Sequence, residues 1–112
     1  MMFESLHDKS GLSFATINQI LSIFSQHPAL KKAILYGSRA KGNYRKGSDI
    51  DLTLIGDTLS HTDLGKIENQ LDDSLLPYSF DFSLYQEIDN PDLLDHIKRV
   101  GIVFYSRVDL AQ

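Results

Sequence analysis

Residues 37–54, GSRAKGNYRKGSDIDLTL, constrain this chain more than any other stretch. A short apolar run, Ala33-Ile34-Leu35-Tyr36, leads into them. Gly37 breaks that run, and residues 38–41 can form a short helix after the turn. Residues 43–48 are a polar loop. Ile50, Leu52 and Leu54 then alternate with Asp49, Asp51 and Thr53, the pattern of a strand with one apolar and one polar face. Residues two apart on a strand share a face, with Cα atoms about 6.6–6.8 Å apart. Asp49 and Asp51 therefore project side by side, within reach of a pair of metal ions about 3.5–4 Å apart. Mg²⁺ takes hard oxygen ligands and keeps several waters, so a few carboxylates suffice for it. An apolar strand, a glycine turn, a basic loop and an acidic strand, in that order, read as a phosphate cradle facing a metal site.

The rest of the chain reads as the frame for that stretch. Residues 1–10 carry little pattern. Over residues 12–26, Phe14, Ile17, Ile20, Leu21 and Phe24 fall at helical spacing, with Ser13 as N-cap and Pro28 as terminator. Residues 62–75 put Leu64, Ile67, Leu71 and Leu75 on one helical stripe, behind a capping-box-like Ser60 and Asp63. Residues 79–85, SFDFSLY, alternate again, so Asp81 sits on the polar face of a third strand. Asn90-Pro91 opens a last helix with Leu93, Leu94 and Ile97 on its stripe and Gly101 at its end. Residues 102–105 form a final short strand, and residues 108–112 a tail. The expectation is an α/β domain spanning residues 1–112, with one mixed β-sheet flanked by helices.

Charge is unevenly spread along the chain. The formal net charge is −4, yet no acidic residue lies between Lys9 and Ser48, a span that holds seven of the eleven lysines and arginines. A basic loop running into an acidic strand suits a metal–phosphate ligand, which needs cations at one end and carboxylates at the other. A nucleic-acid-binding domain is usually basic overall, so direct nucleic-acid binding is not expected. With no cysteine there is neither a disulfide nor a thiolate metal site. No apolar run reaches membrane-spanning length and no signal-peptide pattern opens the chain, so the expected setting is cytoplasmic, away from membranes. The four histidines, His7, His27, His61 and His96, show no ligand spacing and read as surface or loop residues.

Gly37-Ser38, a ten-residue spacer and Asp49-Ile50-Asp51 together resemble the signature of the DNA polymerase beta nucleotidyltransferase superfamily. The longer form, GSRAKG…SDIDL, most resembles its minimal nucleotidyltransferases (MNT), often the antitoxin partners of HEPN-domain proteins. The resemblance implies a Mg²⁺-dependent enzyme, with two ions, that moves AMP from ATP onto a hydroxyl. It assigns Asp49, Asp51 and Asp81 to the metals, with Asp81 near the attacking hydroxyl, and assigns Gly37-Ser38 to the β and γ phosphates. Arg39 and Lys41 are next in line for phosphate, one a planar fork and one a point charge. Lys41 stands where many minimal enzymes carry arginine, which keeps the charge and loses the bidentate geometry. Arg45 and Lys46 reach the triphosphate or a partner, or stay solvated; Tyr44 stacks on a base or remains a loop residue. Tyr36 is expected in the core.

No acceptor-binding region is evident, so the acceptor is expected to come from another protein. The resemblance implies a HEPN-type toxin, an RNase silenced by adenylylation of a tyrosine. Two rival readings stand beside it. One is a non-catalytic antitoxin that neutralises its partner by binding alone. The other is an enzyme acting on a small acceptor such as an aminoglycoside. The three intact aspartates weigh against the first, and the missing acceptor region against the second.

Overall fold

The computed structural model describes residues 2–107; the expected tail at 108–112 lies outside them. Helix α2 (Phe14–Ser25) forms where the periodicity places it. The Ser13 side chain caps it, accepting from the Thr16 N–H at 3.1 Å. Its buried stripe is Ile17, Ile20, Ile23 and Phe24. Helix α4 (His61–Asp73) opens on a complete capping box between Ser60 and Asp63. Helix α5 (Pro91–Val100) opens on Asn90, whose side chain accepts from the Asp92 and Leu93 amides, with proline in the first turn.

Two segments depart from expectation. Residues 1–10, read as patternless, contain helix α1 (Met2–Ser10). Its anchors are tertiary: Leu6 is fully buried, and the Ser10 carbonyl accepts from Arg39 Nη1 at 2.6 Å. Leu75, expected on the stripe of α4, lies past the helix end at φ 60° and is 87% exposed.

The strands are β1 (Lys32–Tyr36), β2 (Ile50–Ile55), β3 (Phe80–Leu84) and β4 (Ile102–Ser106). They form one sheet in the order β3-β2-β1-β4. β1 runs antiparallel to β2 and β4, while β2 and β3 are parallel. A parallel pair needs a long crossover, and α4 supplies it. Helix α3 (Ser38–Lys41) fills the turn between β1 and β2.

The alternation within each strand gives the sheet two unlike faces. Ala33, Leu35, Ile50, Leu52, Leu54 and Leu84 join the main core with the stripes of α2 and α4. Phe24 lies edge-on to Phe82, Phe104 and Tyr105, with ring centroids 5.8–6.5 Å apart. Tyr36, Asp51, Thr53, Asp81 and Ser83 point the other way. Helix α5 covers part of that face, burying Ile97 outside the main core cluster. Gly101, at the end of α5, has an ordinary φ of −60°. It is glycine for space: a Cβ there would collide with the Ile97 carbonyl and crowd Ile34.

Candidate functional site

Strand register builds the site. Asp51 on β2 pairs with Asp81 on β3, and Tyr36 on β1 pairs with Asp51 from the opposite side. Neighbouring strands lie about 4.8 Å apart, so the two carboxylates are next to each other in one row. Asp49 is exposed and immediately precedes β2, on the same side by alternation. Asp81 is also exposed, and Asp51 is half-buried between them.

The electrostatics report this crowding. Burial pushes the Asp51 carboxyl up to about 6, and the negative charges of Asp81 and Asp49 push in the same direction. Burial likewise raises the Tyr36 phenol, reinforced by Asp81 and Asp51. The Ser83 hydroxyl lies close enough to oppose that shift, but makes no well-formed hydrogen bond. Ser83 Oγ and Thr53 Oγ1, one row deeper on paired strands, are both buried without a partner. Crowded carboxylates beside unsatisfied hydroxyls are costly to hold in a fold, and such groups cluster where function requires them.

Gly37 is the other half of the site. Its φ of 77° is left-handed, and a Cβ there would run into the Asp51 carboxylate. The glycine turn and the acidic strand are therefore in direct apposition. The Gly37 carbonyl accepts from the Ala40 and Lys41 amides at 3.1 Å, which closes α3. The first amides of a helix have no intrahelical acceptor, and the Ser38 end of α3 carries such donors. Ser38 is partly buried, and Lys41 is exposed at the far end of the turn.

One histidine belongs to this turn. The Gly37 N–H donates to His96 Nε2 at 3.1 Å, and the imidazole packs edge-on against Tyr36, with centroids 6.1 Å apart. An accepting Nε2 leaves the ring proton on Nδ1. Reading His96 as a surface residue missed this. The signal available was its place three residues after Leu93 and next to Ile97, on the buried side of α5.

Arg39 points inward, unlike the exposed Lys41. It is only 3% exposed. Its Nε donates to the Ser48 carbonyl at 3.0 Å and its Nη1 to that of Ser10. The guanidinium lies 5.1 Å from the ring centroids of both Tyr44 and Tyr78. These bonds tie α1, α3 and the loop before β2 together and turn the side chain inward. Of the four residues read as nucleotide-binding, Gly37 and Ser38 are partly buried, Lys41 is exposed and Arg39 is buried.

Among the described residues, no group of three His, Cys, Asp or Glu side chains is arranged to hold a metal ion ready-made. The donor set nonetheless fits a hard divalent cation that retains waters: the ligands are oxygens, and Asp51 is already destabilised by its acidic neighbours. Among the described residues, no helix is long and apolar enough to cross a membrane.

A glycine turn set against carboxylates on two adjacent strands is an arrangement for phosphate chemistry. The chain belongs to the Polymerase beta nucleotidyltransferase family, matching it over residues 18–109. No curated protein is a match. Solved structures share the fold. A chain of a toxin–antitoxin complex with AMP-PNP superposes with a TM-score of 0.65 at 22% identity, over 81% of this chain and 73% of that one. A chain from a complex of tri-AMPylated Shewanella oneidensis HEPN toxin with MNT antitoxin gives 0.60 at 19% identity, over 83% and 71%. A nucleotidyltransferase-like protein from Sulfolobus solfataricus gives 0.53 at 18% identity, over 95% and 87%.

Proposed function

We propose that this domain transfers AMP from ATP to a tyrosine hydroxyl of a HEPN-type toxin and thereby acts as its antitoxin. The observation that carries the reading is the row Asp51–Asp81 on paired strands, directly opposite the Gly37 turn. Two similar folds come from toxin–antitoxin complexes, one with a triphosphate analogue and one with AMP-bearing toxin, which supports the choice of donor and acceptor.

The chain's own residues divide the work. The Gly37-Ser38 turn holds the β and γ phosphates, with Lys41 adding a positive charge. Asp49 and Asp51, joined by Asp81, would hold Mg²⁺, which when bound would neutralise charge developing on the phosphoryl oxygens. Asp81, at the open rim, orients the incoming hydroxyl and takes its proton. The hydroxyl oxygen forms a bond to the α-phosphorus, the bridging α–β P–O bond breaks, and pyrophosphate leaves.

The test mixes wild type or Asp81→Asn with the cognate toxin, ATP and Mg²⁺, and reads the toxin's mass. Wild type adds AMP to a tyrosine; Asp81→Asn binds the toxin and adds none. If Asp81→Asn protects cells from the toxin as fully as wild type, the protein neutralises by binding alone.

A further inference from the structure

A pocket of about 320 Å³ opens beside α3, lined by Arg39, Tyr44, Arg45, Lys46, Pro77 and Tyr78 together with two glycines. None of Gly37, Ser38, Asp49, Asp51 or Asp81 lines it. Arg39 gives the pocket its character. Its guanidinium is almost wholly buried, and its partners are two backbone carbonyls and two tyrosine rings, all neutral. Among the described residues, no carboxylate forms an ion pair with it. A buried cation without a counter-ion is expensive unless something anionic completes it. Arg45 and Lys46 add two exposed cations to the rim, and no acidic residue lines the pocket.

We propose that this pocket is a second anion site, separate from the Gly37-Ser38 turn, that receives the phosphate of a nucleoside monophosphate group. The guanidinium, whose Nη2 is not taken up by the Ser48 and Ser10 carbonyls, and two exposed cations match a doubly charged phosphate. The rings of Tyr44 and Tyr78 and the face of Pro77 give the wall an apolar part that bare phosphate would not use. The volume is at the small end of ligand pockets and suits a mononucleotide. The choice of a nucleoside rests on the nucleotidyl-transfer reading; the anion site does not.

The experiment is a backbone-amide NMR titration of the full chain carrying Asp51→Asn, in EDTA. The metal site is thus disabled while the pocket is intact. AMP is expected to shift the signals of Gly11, Tyr44, Gly47 and Tyr78 saturably. Adenosine, without the phosphate, and inorganic phosphate, without the base, should each bind at least tenfold more weakly. Arg45→Glu with Lys46→Glu, both at exposed positions, should weaken AMP at least tenfold. Shifts centred on Gly37 and Ser38, adenosine binding as well as AMP, or indifference to charge reversal would overturn the site. Phosphate matching AMP would overturn its assignment to a nucleotide. No transfer is possible in this assay, so its outcome is independent of whether the domain adenylylates a toxin.

Discussion

The two faces of the sheet are made by the same strands and obey opposite rules. On one, Leu52 and Leu54 meet Ile20, Phe24 and Ile67 in a closed apolar core. On the other, the intervening Asp51 and Thr53 meet Asp81, Ser83 and Tyr36, leaving two hydroxyls unpartnered and one carboxyl forced upward in pKa. Alternation assigns the faces, but only the first gains from being covered. The second keeps groups that a fold selected for stability alone would replace, and α5 covers it only in part. Substitutions should therefore separate the faces: apolar-face changes lose stability, and polar-face changes lose function at little or no cost to the fold.

The largest effect is expected on the apolar face. Phe24→Ala removes the ring that touches Phe82, Phe104 and Tyr105. Such truncations cost about 3–5 kcal/mol, a large share of the roughly 5–15 kcal/mol that holds a domain folded. Urea denaturation should show a midpoint far below that of wild type. A loss below about 1 kcal/mol would mean that the core is not organised around this ring.

Gly37→Ala comes next and probes where the faces' chemistry meets. The new methyl has to displace the Asp51 carboxylate at φ 77° and ψ −158°, a region essentially reserved for glycine, a backbone cost of about 1–3 kcal/mol. Nucleotide affinity should fall at least tenfold by calorimetric titration while the variant remains folded. Unchanged affinity would remove the turn from the nucleotide site.

His96 should give a smaller and more selective effect. Its acceptor nitrogen fixes the Gly37 amide, and one such hydrogen bond is worth about 1 kcal/mol. His96→Ala should raise KM for ATP about fivefold with kcat little changed. His96→Gln, whose side-chain carbonyl can take the same proton, should restore most of it. Equal losses in Ala and Gln variants would show that the ring's packing on Tyr36 matters and the acceptor does not.

What the sequence made legible follows the reach of each interaction. Ser13, Ser60 with Asp63, and Asn90 act within three residues, and each caps its helix as read. Alternation in DIDLTL and SFDFSLY assigned the side chains to faces, because that depends on the backbone alone. It left open which strands are neighbours; the adjacency of Asp51 and Asp81 comes from β2 and β3 pairing in parallel around α4. Leu75 is a local departure, lying past the end of α4; the others involve contacts far apart in the chain. Helix α1 depends on Leu6 and on a bond from Arg39, 29 residues beyond Ser10. Chain order groups Arg39 with Gly37 and Ser38; Tyr78 and Ser10 hold its side chain inward. His96 is 59 residues from the glycine whose amide it accepts.

The smallest effect is the one that best isolates the polar face. Asp51 has a folded pKa of about 6, against the usual 3.8 of an unfolded aspartate. The folded state therefore holds this proton more tightly, and its advantage is complete only below about pH 4. As pH rises from 4 to 6 that advantage is lost, and at pH 7 the ionised carboxylate, half-buried and crowded by Asp81 and Asp49, weighs against folding. The unscreened shift corresponds to about 3 kcal/mol. Solvent access to a carboxyl that is only half-buried reduces this to about 1 kcal/mol, or about 4 °C in Tm for a domain of this size. Asp51→Asn should thus melt about 4 °C higher than wild type in EDTA at pH 7, with the gap closing by pH 4. Added Mg²⁺ should narrow or reverse the difference, because a cation stabilises the wild-type carboxylate and has less to bind in the variant. A wild type more stable than Asp51→Asn at pH 7 without metal would mean that burial and the neighbouring carboxylates do not disfavour the charged form as their placement requires.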